Sequence, residues 1–287
     1  MTHDIACLTE PQQSIPSSPC DMPWDEYREY PALNGSAIVH GRTSMLHLKY
    51  AWDHGRKDTD AMQFGRLVHC LLFEPTEVTE RYWPWDGRRS GNAYELFKAE
   101  AEIAGAEVIR AEGEYSMEAA LQAAKGFLAS SRIQSLIEAG KSEQTVITEE
   151  CGMPCKGRID WISTSQHVLT DLKTTVSLDR KKFGRQFFSL GYDIKLGLYR
   201  RWLDRVTNDH WPVEVIALEN KPPHDVAVIP IPDAVLDAGV DKAMDIIGRV
   251  RQAIESDYWP GMAGDEDYPL EIPFYEMEEA EMEVYQG

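Results

Sequence analysis

Two aspartates and a lysine in the middle of the chain are spaced so that they would meet in the folded protein. Asp160 ends the segment 157–160, and Asp171 and Lys173 lie in the segment 170–175. The residues between these segments are apolar at both ends and polar in the middle, which predicts a strand, a tight turn and a second strand. Because side chains alternate along a strand, Asp171 and Lys173 would share one face. The spacing therefore predicts two carboxylates and an ammonium group on one surface of a hairpin.

These side chains suit the hydrolysis of a phosphodiester at a bound Mg²⁺ ion, with Mn²⁺ as a substitute metal. Mg²⁺ prefers oxygen ligands and keeps several waters, so Asp160, Asp171 and the backbone carbonyl of Leu172 would leave positions open for phosphate and water. Lys173 would orient the attacking water, accept its proton or stabilise negative charge at phosphorus. The pattern Asp-x-Lys is short, however, and a solvated ion pair at a strand edge explains it at least as well on its own.

The surrounding sequence resembles a known family. Residues 157–160 are Gly-Arg-Ile-Asp and residues 170–175 are Thr-Asp-Leu-Lys-Thr-Thr. They are similar to the core of the PD-(D/E)XK nuclease superfamily, in particular its exodeoxyribonuclease VIII (RecE-like) branch, which is related to the RecB nuclease domain. Residues 64–75 resemble the first motif of that branch, in which a helix carries a histidine that completes the metal site. The resemblance implies that His69 is this ligand, whereas a histidine on an apolar helix is otherwise more often a packed core residue.

Two further segments match in order and spacing. Residues 27–36 are similar to the opening segment of the family, where a tyrosine and a short stretch precede the first helix. Residues 191–199 occupy the place of its Gln-x-x-x-Tyr helix, with Lys195 where glutamine is expected. Lys195 and Tyr199 are four residues apart and would share a helical face. The resemblance covers residues 27–275, and its order of motifs is more specific than any one of them.

The resemblance implies a fold and an activity. The fold would be α/β, of the restriction-endonuclease-like PD-(D/E)XK type, with a central mixed β-sheet flanked by helices and with helical N-terminal additions. The activity would be a Mg²⁺-dependent exonuclease that degrades one strand of linear double-stranded DNA from its ends with 5′–3′ polarity. It would act as a ring-shaped homo-oligomer beside a RecT-like single-strand annealing protein in phage-type recombination. Two alternatives stay open: a RecB-like nuclease acting on single-stranded or flap DNA, and a non-catalytic acidic interaction protein that retains the nuclease fold.

The net charge of −19 disfavours DNA binding at first sight, because phosphate contacts come from lysine and arginine. No lysine or arginine follows Arg251, and eleven acidic residues lie between Glu255 and Glu283, so −8 of the −19 remains for the rest of the chain. Basic and aromatic side chains near the predicted site, and in an arginine- and tryptophan-rich loop, are candidates for DNA contact, although a solvated surface explains such runs about equally often. The predicted DNA contacts are Arg158, Arg180, Lys181, Lys182, Arg185, Lys195, Tyr199, Arg88 and Arg89.

Composition and spacing predict the organisation of the chain. We expect a mobile leader over residues 1–22, a single PD-(D/E)XK exonuclease domain over 23–260 and an acidic C-terminal tail over 261–287. Of five cysteines, Cys151 and Cys155 are separated by three residues and none follows them, so reduced thiols and no iron–sulfur cluster are expected. No apolar run approaches the ~20 residues that span a bilayer, and the N-terminus lacks a signal-peptide pattern. A cytoplasmic location in a bacterial or phage-infected cell is therefore expected.

Periodicity and turn residues predict the elements that would hold the site. Helices are predicted over 36–50, 60–73, 181–206 and 232–258, with further helical periodicity over 92–139 and a loop over 81–91. Strands are predicted over 145–149, 154–162, 168–173, 213–218 and 225–229.

Overall fold

A central mixed sheet organises the fold. The computed structural model describes residues 18–55 and 57–264, together with Ile5, Leu8 and Pro16. The strands in these residues are β1 (Cys20–Asp21), β2 (Leu33–Asn34), β3 (Tyr82–Trp85), β4 (Glu107–Arg110), β5 (Gly140–Glu150), β6 (Met153–Ser163), β7 (Val168–Thr175), β8 (Val213–Glu219) and β9 (Val226–Ile231). The main sheet has the order β1-β5-β6-β7-β8-β9, with β2 added beside β6, and β3 and β4 form a separate parallel pair. The expected mixed α/β fold is confirmed.

Helices cover both faces of the main sheet. In the described residues they are α1 (Trp24–Glu29), α2 (Gly35–His40), α3 (Met45–His54), α4 (Asp60–Phe73), α5 (Val78–Arg81), α6 (Asn92–Ile103), α7 (Met117–Ala129), α8 (Ser131–Ile137), α9 (Arg180–Ser189), α10 (Tyr192–Thr207) and α11 (Asp233–Ser256). One apolar cluster joins the sheet to α2, α3 and α9–α11, with Ile159 and Trp202 at its centre. A second joins the other face to α4, α7 and α8, and contains Phe64 and Leu172. The strands are buried on both sides, and the helices supply most of the apolar surface that excludes water.

Strands β6 and β7 form the predicted hairpin and then separate. Their antiparallel pairing covers only the three pairs from Ser163↔Val168 to Trp161↔Thr170. Beyond this point β6 pairs in parallel with β2 at Cys155, whereas β7 continues beside β8. The strands therefore open into a fork directly after Trp161 and Thr170. The next residue on each arm of this fork is one of the two aspartates, Asp160 and Asp171.

The structure divides two predicted helices. The prediction of one continuous helix over 36–50 was wrong, because α2 ends before Gly41. A second helix, α3, starts at Ser44, whose hydroxyl accepts a hydrogen bond from His47 N. The prediction for 181–206 was wrong in the same way, because Gly191 adopts a left-handed conformation at φ 69° and separates α9 from α10. This break turns α10 so that its first turns face the fork.

Two weaker predictions also need correction. The predicted loop over 81–91 contains strand β3, and the predicted helical stretch over 92–139 is interrupted by strand β4. These two strands pair in parallel. Most of the predicted leader and residues 265–287 of the predicted tail lie outside the described residues. The single-domain boundary at 23–260 stays a prediction.

Candidate active site

The two arms of the fork are tied together by a side chain. Asp160 Oδ2 accepts a hydrogen bond of 2.9 Å from the backbone N–H of Leu172. This N–H belongs to the stretch of β7 that has lost its ladder partner on β6, so the carboxylate takes over a role that a strand carbonyl plays elsewhere in the sheet. The bond fixes Asp160 next to Asp171, as the hairpin spacing predicts.

Asp171 is fully buried, with 0% of its surface exposed. Lys173 Nζ forms an ion pair with its Oδ2, and Lys195 Nζ lies 3.7 Å from its Oδ1. Neither oxygen has a hydrogen-bond partner among the described residues. A buried carboxylate without hydrogen bonds is costly, and the two ammonium groups supply the charge that offsets this cost.

Lys173 is held between two strands and a helix. Its Nζ donates a hydrogen bond of 3.2 Å to the carbonyl of Leu172 and lies 5.2 Å from the centre of the Tyr192 ring at the start of α10. The carbonyl of Leu172, predicted as a metal ligand, therefore faces the same space as the lysine. The ammonium group, this carbonyl and Asp171 converge at the opening of the fork.

His69 reaches the fork from α4. The helix begins at its cap Thr59, whose hydroxyl accepts from Met62 N, and its apolar face packs on the sheet. His69 Nε2 lies 3.1 Å from Glu143 Oε1 and 3.9 Å from Asp160 Oδ2. The nitrogen is buried and has no hydrogen-bond partner among the described residues. Its contact with Glu143 is an ion-pair distance without the alignment of a hydrogen bond. His69 therefore lies beside two carboxylates with which it could share a metal ion.

Glu143 is a site residue that the sequence analysis missed. It lies in β5 directly opposite Asp160, between the pairs Ser142↔Trp161 and Gln144↔Ile159, and its φ of 52° bends the strand locally. The bend aims its carboxylate at His69 and at Arg158, with which it forms an ion pair. Ligand atoms of His69, Glu74 and Glu143 all lie within 4.8 Å of one another.

The surroundings of Asp160 and Glu143 shift the pKa values of these two carboxylates in opposite directions. Burial acts to raise the pKa of Asp160, but Lys173 and His69 outweigh it, so the pKa of Asp160 is lowered. Burial raises the pKa of Glu143, and nearby Asp160 adds to the effect. Burial would lower the pKa of Lys195, yet the charges of Asp171 and Asp160 raise it. Without a metal, Asp160 is therefore the more readily ionised of the two, and Lys195 stays charged.

The fork opens into a large groove. Its cavity volume is about 1040 Å³. Lys173 and Lys195 line it on the side of the fork, whereas His69, Glu143, Asp160 and Asp171 are not among its lining residues. Arg28, Arg42 and Lys156 are among the cationic residues along its walls. Aromatic side chains, including those of Tyr30, Trp52, Tyr115 and Tyr192, also line it. Cationic and aromatic walls suit a sugar–phosphate chain and its bases.

Comparison with known proteins identifies the family. Residues 42–271 match the family model described as a PDDEXK-like domain of unknown function (DUF3799). The chain belongs to this PDDEXK-like family. The match includes the fork, His69 and Glu143, and it confirms the resemblance to the PD-(D/E)XK superfamily. No curated protein matches the chain.

The comparison with solved structures finds one exonuclease whose fold is similar along most of this chain. A presumed exonuclease from Eubacterium rectale is similar with a TM-score of 0.60 and 12% sequence identity, over 90% of this chain and 98% of that chain. A phage-related exonuclease from Haemophilus somnus 129PT gives a TM-score of 0.34 and 13% identity, over 79% of this chain and 96% of that chain. At these identities the likeness concerns the fold.

The donor atoms of this PDDEXK-like site fit a divalent metal. Carboxylate oxygens of Glu143 and Asp160 lie 3.1 Å and 3.9 Å from His69 Nε2, and a Glu74 oxygen lies within 4.8 Å of the His69 and Glu143 ligand atoms. Such a mixed oxygen and nitrogen set is one that Mg²⁺ and Mn²⁺ accept. The Asp171 oxygens and His69 Nε2 are buried and lack hydrogen-bond partners among the described residues. Buried polar atoms without hydrogen-bond partners are rare in folded proteins, and a bound metal ion or water would supply the missing partner.

The predicted DNA contacts divide into two groups. Arg158 is largely buried, pairs with Glu143 and donates to the carbonyl of Met22. Tyr199 is 4% exposed and packs beside Gly157. These two residues support the site from within. In contrast, Arg180, Lys181, Lys182 and Arg185 are exposed on α9.

The arginines of the predicted loop, Arg88 and Arg89, follow shortly after β3. Arg89 pairs with Asp60 at 3.3 Å and donates to the carbonyl of Val108, which ties it to β4. Arg88 is exposed. Neither is among the described residues that line the groove.

Among the described residues, no helix has both the length and the apolar character needed to cross a membrane.

Proposed function

We propose that the chain is a divalent-metal-dependent deoxyribonuclease that degrades linear double-stranded DNA from its ends. The observation that carries this proposal is the meeting of His69, Asp160, Asp171 and Lys173 at the fork, where a groove of about 1040 Å³ opens. A purely structural set of ion pairs would not require a buried histidine nitrogen and a buried carboxylate that both lack hydrogen-bond partners among the described residues. This arrangement also disfavours the alternative of a non-catalytic acidic interaction protein.

The residues have distinct roles in this proposal. His69, Asp160 and Asp171 would hold Mg²⁺, with the Leu172 carbonyl as a further oxygen ligand, and Glu143 would bind the metal or orient His69. A bound divalent ion would polarise the phosphoryl oxygen and lower the pKa of an attacking water.

Lys173 would position that water and stabilise the transition state. Its ammonium group lies within reach of both Asp171 and the Leu172 carbonyl, so it can hold a water in line with the scissile P–O bond. As the water oxygen attacks phosphorus, negative charge grows on the phosphoryl oxygens, and the fixed positive charge of Lys173 would stabilise it. The proton lost by the water would pass to solvent or to a neighbouring base.

The finer parts of the proposal follow the resemblance to the exodeoxyribonuclease VIII branch. They are the preference for Mg²⁺, 5′–3′ polarity, a ring-shaped homo-oligomer, and cooperation with a RecT-like annealing protein in phage-type recombination. DNA would lie along the groove, with Lys182 and Arg185 of α9 at its edge, because Gln186 and Ser189 one turn later line the groove. An internal location in bacterial or phage-infected cells would suit such a substrate.

A cleavage assay with matched DNA forms tests the proposal. Linear duplex labelled at its 5′ or 3′ ends, covalently closed circle of the same sequence, and single-stranded and flap DNA are incubated with Mg²⁺, Mn²⁺ or EDTA. We expect metal-dependent loss of the linear duplex, sparing of the closed circle and early release of the 5′ label. Preference for single strands or flaps would favour the RecB-like alternative.

Matched variants connect the activity to the fork. Asp171→Asn and Lys173→Met should each lower the cleavage rate by about 10³-fold or more, as expected for groups that act on the transition state. Lys98→Met is the control, because Lys98 is an exposed residue of α6 that pairs with Glu102 and is not among the described residues that line the groove. Full activity in the folded Asp171 and Lys173 variants would refute the proposal.

A further inference from the structure

Lys195 occupies a defined position at the inner end of the groove. It lies in the first turn of α10, its Nζ is 5.0 Å from the centre of the Tyr199 ring, and a Cβ at Gly35 would lie 3.3 Å from its Cγ. The side chain passes between a helix start and an aromatic ring and is 20% exposed. Its direction is therefore set by packing, and the ammonium group points at the fork.

The ammonium group of Lys195 faces the oxygen of Asp171 that Lys173 leaves unpaired. Lys173 pairs with Oδ2, and Lys195 lies 3.7 Å from Oδ1. This distance permits an ion pair but exceeds that of a direct hydrogen bond. The second lysine therefore acts on Asp171 as a nearby positive charge and not as a hydrogen-bond donor.

Before any metal binds, cationic side chains already pair with the carboxylates of Glu143 and Asp171 at the fork. Three carboxylates, those of Glu143, Asp160 and Asp171, meet three permanent cations, those of Arg158, Lys173 and Lys195. One divalent ion would add two positive charges, and the negative charge of a bound phosphodiester would offset part of them. Two-metal sites place the second ion ~3.5–4 Å from the first, on a shared carboxylate. Here a second ion on Asp171 would lie beside the Lys195 ammonium group.

We infer that Lys195 takes the place of a second divalent cation at Asp171, so that this site binds and uses a single metal ion. The inference deepens the proposed nuclease function and rests on it. Lys195 would help to position the metal-bound carboxylate and to offset the charge of the phosphate during cleavage. Its role is that of a positioning residue which acts through Asp171.

Metal stoichiometry tests the inference directly. Mn²⁺ is titrated into the full chain by calorimetry, alone and with a linear duplex whose terminal linkages are phosphorothioates, and Mn²⁺ electron paramagnetic resonance is recorded on the same samples. We expect one ion per chain at the fork and no signal from coupled Mn²⁺ pairs. The Mg²⁺ dependence of cleavage should follow a Hill coefficient of one. Two ions per chain with a coupled-pair signal would overturn the inference.

Variants at Lys195 provide a second test of the inference. Lys195→Met keeps most of the side-chain length without the charge, and Lys195→Gln introduces the residue expected from the family resemblance. In both we expect a second Mn²⁺ per chain, a coupled-pair signal and a Hill coefficient that rises toward two. Lys98→Met should bind one ion like the unmodified chain. A single ion in both Lys195 variants, with unchanged thermal unfolding midpoints, would also overturn the inference.

The result separates this inference from the proposed function. If the unmodified chain cleaves DNA and binds two ions, the proposed function stands and the role of Lys195 falls. If the chain neither binds Mn²⁺ nor cleaves any DNA form, the proposed function falls and this inference falls with it.

Discussion

The carboxylate of Asp160 accepts a hydrogen bond of 2.9 Å from the backbone N–H of Leu172, and this bond spans the point where β6 and β7 separate. Asp160 therefore has two roles. Its Oδ2 satisfies a backbone donor that has lost its strand partner, and the same oxygen lies 3.9 Å from His69 Nε2. A residue with both roles is expected to affect folding and catalysis through different properties, its acceptor oxygen and its charge.

A matched pair of Asp160 variants separates these roles. Asp160→Asn keeps an acceptor oxygen for Leu172 N but loses the charge, whereas Asp160→Ala loses both. We expect both variants to lose metal-dependent cleavage, and only Asp160→Ala to lose about 2 kcal/mol of unfolding free energy, the value of a hydrogen bond to a charged group. Urea unfolding in EDTA and the DNA cleavage assay measure the two effects. Equal stability of the two variants would contradict this assignment.

Glu143 should make the metal-free protein less stable as the pH rises. Burial, with Asp160 adding to it, raises its pKa in the folded chain, so the folded state prefers the protonated form. The stability contributed by this group is present below the ordinary glutamate pKa of about 4.3 and is lost as the pH rises through the raised folded value.

The variant Glu143→Gln tests this pH dependence, because glutamine keeps the hydrogen-bonding shape without the titration. In EDTA we expect it to match the unmodified chain near pH 4.5 and to become the more stable of the two toward pH 8. Saturating Mg²⁺ should reverse the order at pH 8, since an ionised Glu143 would gain from the metal. Urea unfolding across this pH range measures the difference, and a gap that widens toward acid would show that the sign is wrong.

Part of this site was predictable because it depends on local pattern. The alternation of residues 154–162 and 168–173 with a polar turn between them is enough to pair Asp160 with Asp171, and the hairpin register agrees. His69 could be predicted only through the family motif, since its helix is apolar and its contacts are distant in sequence. The mixed sheet followed from the same order of motifs.

Other features depend on tertiary structure that no short segment encodes. Glu143 reaches the site because its backbone adopts φ 52° within a strand, a conformation uncommon for glutamate. Arg158 could be expected equally at DNA or within the acidic cluster, and packing against Glu143 decided its position. The break at Gly191 was missed because helical periodicity continues on both sides of it.

The glycine of the 157–160 motif has a packing role that can be tested. A Cβ at Gly157 would lie 2.7 Å from Tyr199 Cε1 and 3.0 Å from Trp202 Cζ3. Gly157→Ala should therefore lower the unfolding free energy by about 1–3 kcal/mol, because Tyr199 and Trp202 would have to shift. The control Gly184→Ala has open space on α9 and should be neutral or stabilising by about 0.4–1 kcal/mol. Equal denaturant midpoints for the two alanine variants would contradict the packing role.

The exposed basic residues of α9 should bind DNA through phosphate contacts. Lys182 and Arg185 lie one turn before Gln186 and Ser189, which line the groove. Each contact releases counterions, so Lys182→Ala and Arg185→Ala should each lower the slope of log affinity against log salt by about one, with little change in DNA sequence preference. Fluorescence anisotropy with a linear duplex at several salt concentrations, in the presence of EDTA, measures the slope.

Arg158→Ala is the informative contrast to the α9 variants. Its guanidinium is bonded to Glu143 and to the Met22 carbonyl, so its loss leaves a buried carboxylate without its main cationic partner. We expect lower stability and weaker metal binding with an unchanged salt slope, because a side chain that makes no phosphate contact releases no counterions. If Arg158→Ala instead lowered the slope as Lys182→Ala does, the groove would have to extend past Glu143 to the β5 side of the fork, and DNA would approach the metal from the opposite edge.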